Sequence, residues 1–181
     1  LTLAVALAGI WLFDTIADSV VGQDPRYLDR QILLALRDAQ DLNDPLGPEW
    51  VESMVRDFTA LGGTAVIMLL TLSVVGYLLL RRQYHIVVLV LVTVIGSAVL
   101  TQALKTAYAR PRPDLVPGLT QSLFASFPSG HSSGAAAVYL TLGSLVARLQ
   151  RRRVIEVYII ALAVLLTILV GFSRVYLGVH Y

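Results

Sequence analysis

The chain has 181 residues, of which 56% are hydrophobic and 14% charged, with a formal net charge of +2. A soluble domain carries roughly 25% charged residues, so this composition excludes an ordinary water-soluble fold and points to an integral membrane protein. A charge of +2 is too small to suggest a nucleic-acid partner, and the absence of cysteine excludes disulfides and thiolate metal sites.

The chain opens with an apolar run, Leu1 to Phe13, followed by Asp14 and Asp18. It is read as a first membrane span whose start is missing, because the chain begins with Leu rather than Met. The alternative is the apolar core of a signal peptide, but no basic stretch precedes it and no clear cleavage site follows. Residues 24–58 are polar but patterned. Leu28, Ile32 and Leu36 recur every fourth residue, and Val51, Met54, Val55 and Phe58 follow a helical period after Pro48. Both stretches read as amphipathic helices, lying either on the membrane surface or against the end of the bundle.

Four further apolar runs follow: Leu61 to Leu80, Ile86 to Leu104, His131 to Ala147, and Val154 to Phe172. A span needs about 20 mostly apolar residues, and the shorter His131 run can extend if Arg148 snorkels. The expected architecture is therefore all-α: a polytopic transmembrane helix bundle with five spans, and surface helices between the first and second. The whole chain reads as a single membrane-embedded domain, 1–181, with a core over 61–181. There is no internal repeat and no low-complexity segment.

Orientation follows the basic residues of short loops. Arg81 and Arg82 join two spans, and Arg148, Arg151, Arg152 and Arg153 join two more, so both loops are expected in the cytoplasm. Asp24 to Asp57 holds eight acids against four arginines, 4 − 8 = −4, as expected outside. The stretch from Lys105 to Pro128 and the chain after Phe172 then fall outside too.

Three polar clusters lie on that expected outer face. The first is Lys105 with Arg112-Pro113. Lys105 alone reads as an interfacial snorkelling lysine or an anion ligand, while Pro111 and Pro113 stiffen the backbone that carries the arginines. A guanidinium so held binds phosphate oxygens bidentately. The second is Pro128-Ser129-Gly130-His131, leading into a span. Pro128 suits the first turn of a helix, Gly130 lets backbone approach a ligand, and a helix N-terminus attracts anions. Ser129 or Ser132 could equally be simple N-caps. His131 beside such a site can donate a proton to a leaving oxygen, the bland alternative being a satisfied interfacial histidine. Gly134 to Ala137 read as close helix packing. The third is Ser173-Arg174 followed by His180. Arg174 alone could be an interface anchor. On a continuous helix, Arg174 and His180 stand about 600° apart, some 120° off a shared face, so a turn is needed to bring both to one ligand.

Other polar residues read as structural: His85 near the start of a span, Glu156 paired with a nearby arginine, and Tyr77, Tyr84, Tyr158, Trp11 and Trp50 as interface-belt residues. Asp14 and Asp18 read as exposed beyond the span, the alternative being a lipid entry site that they line.

The spacings Lys105, six residues, Arg112-Pro113; then Pro128-Ser129-Gly130-His131; then Ser173-Arg174, five residues, His180 resemble, in that order, the signature of the type 2 phosphatidic acid phosphatase superfamily. The resemblance covers roughly Leu61 to Tyr181. It implies a bacterial inner-membrane lipid phosphatase facing the periplasm or exterior, using no metal or other cofactor and hydrolysing a lipid phosphate monoester or isoprenyl diphosphate. By resemblance, His180 is the nucleophile that forms a phosphohistidine. His131 is the general acid and base. Lys105, Arg112, Ser129, the Gly130 amide and Arg174 hold the phosphoryl oxygens. The resemblance also implies six spans and an Asp four residues after the nucleophile, whereas only Tyr181 follows His180. The expectation is a chain truncated at both ends, in which the downstream segment restores turnover. Two other readings share the clusters: a lipid-linked phosphotransferase, with an alcohol replacing water, and a non-catalytic phospholipid-binding membrane protein.

Overall fold

A computed structural model describes residues 11, 15, 31–38, 41–42, 44–108 and 127–178. The first expected span and residues 24–30 lie almost wholly outside these. Regular structure among the described residues is helical apart from one isolated antiparallel bridge, Arg37 to Pro45.

Helix α1, Glu49–Leu61, begins after Pro48, whose fixed φ of −74° suits a helix start. Glu49 and Glu52 sit in its first turn, where carboxylates favour the helix dipole. Glu52 also accepts from Arg56 one turn on. Val55 is its buried contact, whereas Met54 and Trp50 face outward. In the preceding segment Leu33 and Arg37 are buried and Ile32 is exposed, so the inward face is not the Ile32–Leu36 stripe expected from periodicity.

Helix α2 is Thr64–Leu80, bent 45° from α1 at Gly62–Gly63. The expected span starting at Leu61 is thus a broken element. Gly62 caps α1 and Gly63 precedes α2, and neither glycine favours continuing a helix. The break exposes the Leu61 carbonyl, which accepts the Tyr139 hydroxyl at 2.8 Å. In an apolar bundle an unsatisfied carbonyl costs several kcal/mol, of order 2–7, so this bond stabilises the bend.

A two-residue turn with Arg82 at φ +56° leads into α3, Tyr84–Tyr108. Helix α4 is Gly130–Arg148 and α5 is Arg153–Tyr176. With 25 and 24 residues, α3 and α5 are long and apolar enough to cross a membrane, and the bent α1–α2 pair passes the same test as one unit. Helix α4, with its polar first turn and small residues, does not pass it. Their outer faces, Val88 and Val92 on α3 and Leu165 and Ile168 on α5, are exposed and apolar, as lipid contact requires.

Helix α4 lies between α3 and α5 and packs most extensively on α5. Lipid tails are as apolar as these side chains, so close backbone approach and shape must hold the pair. A Cβ added to Gly143 would lie 2.7 Å from the Ala163 Cβ, leaving room for hydrogen alone. Ala135 is fully buried and Gly134 faces Ile67, as expected of a small-residue face. Leu78, Val87 and Val90 cluster with Leu145, which sets the α2–α3 turn beside the C-terminal end of α4. The two arginine loops therefore share one end of the bundle. Glu156 accepts from Arg153 through both oxygens at 2.8 Å, the pairing expected from sequence.

Candidate active site

The other end of the bundle collects the described residues of the three clusters. Lys105 lies in the last turn of α3, which runs one residue beyond Ala107 to Tyr108. Twenty-one residues of helix separate it from the α2–α3 turn, about 30 Å. The Tyr108 ring meets Phe127 edge-on at 5.5 Å, holding the end of α3 to the lead-in of α4. Lys105 Nζ lies 3.9 Å from where a Cβ of Gly130 would sit. An ammonium thus stands over the first residue of α4, at the positive end of that helix's dipole.

The start of α4 differs from expectation in one detail. Pro128 precedes the N-cap rather than occupying the first turn, and Phe127–Pro128 is cis. Ser129 is the N-cap because its hydroxyl oxygen accepts from Ser132 N at 3.4 Å, a bond proline cannot supply. Its carbonyl accepts from Ser133 N at 3.0 Å. Capping occupies the Ser129 oxygen as acceptor and leaves its O–H as a donor suited to an anion. Gly130, His131 and Ser132 form the first turn, with Gly130 exposed.

Ser133 locks this turn to α3. Thr101 Oγ1 donates to Ser133 Oγ at 2.8 Å, and Ser133 Oγ donates to Ser129 O at 3.0 Å. Ser97 Oγ donates to Ser133 O at 3.3 Å. Sequence reasoning passed over Thr101 and Ser97. Their signal is a run of hydroxyls one helical turn apart, Thr93, Ser97 and Thr101, in a largely apolar span.

His131 is half-buried against the α1–α2 break. A Cβ on Gly62 would lie 2.9 Å from His131 O, 3.2 Å from His131 Cβ and 2.5 Å from Val170 Cγ1. Val170 is one turn before Arg174 on α5, so His131 and Arg174 come to the same bundle end. The Ser132 hydroxyl oxygen faces Gly171, 3.8 Å from its virtual Cβ.

Arg174 is half-buried in the last turn of α5, inside the helix rather than beyond it. Ser173 is fully buried: it accepts from Thr59 Oγ1 at 2.6 Å and donates to Val170 O at 2.7 Å. It therefore ties α5 to α1 and does not face a ligand. The helix stops at Tyr176, Leu177 caps it, and Gly178 adopts φ +70°. Glycine in the left-handed region after a helix end supplies the turn that a continuous helix would have denied. Arg112, within 109–126, and His180, at 179–181, lie outside the described residues.

Arg37, outside the spans, is also at this end. Burial pulls its pKa below the ordinary guanidinium value, opposed by the nearby Tyr176, Glu52 and Asp44.

Set against known proteins, residues 86–181 match the PAP2 superfamily. The chain belongs to the PAP2 superfamily. Phosphatidylglycerophosphatase B of Bacillus subtilis (strain 168) is 34% identical over 136 residues, covering 73% of this chain and 65% of that protein. A lipid A 1-phosphatase of Rhizobium johnstonii is 36% identical over 98 residues, covering 49% of this chain and 36% of that protein. The chain thus spans less than two thirds of either relative's length. The crystal structure of a transmembrane PAP2 type phosphatidylglycerolphosphate phosphatase from Bacillus subtilis superimposes with a TM-score of 0.80 at 27% identity. That match covers 96% of this chain and 83% of the other. The all-helical transmembrane architecture and the family read from the three clusters both stand. The described parts of the three clusters stand at the helix ends: Lys105 closing α3, Ser129 to His131 opening α4, Ser173 and Arg174 closing α5.

Proposed function

We propose that this PAP2 chain hydrolyses a lipid phosphate, a monoester or an isoprenyl diphosphate, on the outer face of a bacterial inner membrane through a phosphohistidine. The observation that carries the reading is the end of α4: Lys105 Nζ over Gly130, with His131 in the same turn and Arg174 closing α5 across from it. The phosphatase names of the two relatives support the reaction class. The position of the two arginine loops at the opposite bundle end supports the orientation, since basic loops stay cytoplasmic.

In this reading Lys105, Arg112, Arg174, the Ser129 hydroxyl and the Gly130 amide surround the phosphoryl oxygens. Charge spreads over those oxygens in the transition state, so fixed donors lower the barrier. An imidazole nitrogen of His180 attacks phosphorus as the bond to the lipid oxygen breaks. Protonated His131 gives its proton to that departing oxygen. Neutral His131 then takes a proton from water, whose oxygen attacks phosphorus. Inorganic phosphate leaves, His180 is regenerated, and His131 is again protonated. The lipid tail stays in the bilayer while the head reaches the cations.

The test is phosphate release from a panel of phosphatidate, phosphatidylglycerophosphate and isoprenyl diphosphate in EDTA. The full-length natural product is compared with His131→Ala and His180→Ala. Release by the wild type and its loss in both variants is expected. Wild-type rates retained by either variant would overturn the assignment.

A further inference from the structure

Arg37 is a buried arginine, 6% exposed, that the proposed chemistry leaves unused. Its Nη2 donates to the Tyr176 carbonyl at 3.0 Å, across 139 positions of sequence. Tyr176 is the last residue of α5, and the final carbonyls of a helix have no partner within it. The tyrosine returns the contact, its hydroxyl donating to Leu46 O at 2.9 Å. Arg37 and Leu46 belong to one closed turn. Arg37 bridges to Pro45, Leu46 N donates to Leu36 O at 2.9 Å, and Asp38 N donates to Asp44 O at 3.0 Å. Gly47, at φ +128°, lies beside the tyrosine hydroxyl, 3.6 Å from where its Cβ would be. The segment before α1 therefore clasps the end of α5 at both the main chain and the side chain of one residue.

A buried cation is costly, and an apolar side chain would fill the same space at lower cost. What Arg37 supplies that an apolar residue cannot is a donor and a positive charge at the negative end of α5. That end carries Arg174 two residues before Tyr176, and the chain continues from it to His180 four residues after. We propose that Arg37 is a positioning residue for phosphoryl transfer: by capping α5 it fixes the helix end that carries Arg174. It touches no substrate in this role. The inference rests on the proposed lipid phosphatase reaction for its kinetic consequence, and on the fold alone for its structural one.

The experiment uses the full-length natural product in nanodiscs, as wild type, Arg37→Met and Arg37→Lys. Methionine keeps much of the volume without donor or charge, and lysine keeps both. For phosphatidate hydrolysis, Arg37→Met is expected to lose about tenfold in kcat with KM within about twofold, because stabilisation of the charge that spreads over the phosphoryl oxygens in the transition state depends more on where Arg174 sits than ground-state binding does. Arg37→Lys is expected to return to within about threefold of wild type. Hydrogen exchange of the peptide covering 170–181 is read on the same samples, and it should quicken in Arg37→Met and not in Arg37→Lys. A kcat unchanged in Arg37→Met, or lowered equally in Arg37→Lys, overturns the positioning role. Unchanged exchange at 170–181 overturns it even if the wild type releases no phosphate, a result that would instead refute the proposed reaction.

Discussion

Adding one methyl group at Gly62 should impair this protein without touching any proposed catalytic atom. In Gly62→Ala the new Cβ would lie 2.5 Å from Val170 Cγ1 and 2.9 Å from His131 O. Carbon atoms settle at about 3.5–4.0 Å, so the shortfall against Val170 is about 1 Å. Val170 is fully buried and β-branched on a helix, where one χ1 rotamer dominates, so it cannot swing away cheaply. His131 O is main chain in the first turn of α4, which Thr101 and Ser133 hold to α3. The strain must move that turn or the α1–α2 break. Overpacking of this kind costs about 1–3 kcal/mol. A shift of roughly half an ångström at His131 lowers kcat about tenfold, given that 1 Å costs on the order of 100-fold. Thermal unfolding in detergent and steady-state phosphate release measure the two effects. Val170→Ala removes the nearer clash, so the double variant should recover at least about 1 kcal/mol relative to additivity. Wild-type stability and turnover in Gly62→Ala, or strict additivity in the double variant, would refute the reasoning.

His131→Ala should lower phosphate release by about 100-fold or more, the usual worth of a positioned acid, with lipid binding retained in a flotation assay. His180→Ala should abolish acid-labile, base-stable phosphate labelling of the chain, because the acceptor nitrogen is gone. Turnover in EDTA should equal turnover without it, and loss on chelation would contradict the histidine mechanism. Gly143→Ala should destabilise by about 1–3 kcal/mol through its contact with Ala163, and Ala163→Gly in the same chain should relieve most of the clash, as read by thermal unfolding.

The sequence made the helices legible because lipid forces the issue: a chain crossing hydrocarbon must satisfy its backbone internally, and long apolar runs announce where it does so. Helices α3, α4 and α5 appear within a few residues of the expected spans, each slightly longer because Lys105, Arg148 and Arg174 are accommodated in final turns. The cluster residues were legible for the opposite reason. Lys105, His131 and Arg174 are costly beside apolar segments and stand out. What escaped was local competition. The apolar run from Leu61 hid the break at Gly62–Gly63, since hydropathy averages over glycines that chain geometry uses individually. Periodicity placed Ile32 inward, but Leu33 and Arg37 are the buried positions, in a segment that bridges to Pro45 and bonds the end of α5. Capping went to Ser129 because only one residue can be N-cap, and the spacing of Pro128, Ser129 and Ser132 alone does not decide which.

The α4–α5 contact and the proposed catalytic end are held by different physics, and the difference bears on where chemistry can sit. Between α4 and α5, Gly143 meets Ala163 through shape, and such contacts fix a distance more firmly than a rotation or a slide. At the proposed catalytic end the start of α4 and the end of α5 are tied by directional bonds to other elements: Ser133 to Thr101, Ser173 to Thr59, and Tyr176 to Arg37 and Leu46. Hydrogen bonds demand both distance and angle. Phosphoryl transfer needs its cations and imidazoles placed to a fraction of an ångström, so these anchors are where loss of turnover should exceed loss of stability. Thr101→Val checks this directly. It removes a donor worth about 1 kcal/mol net, yet should lower kcat several-fold by loosening the turn that carries His131. A variant that loses the stability and keeps the rate would show that the hydroxyl bonds serve folding alone.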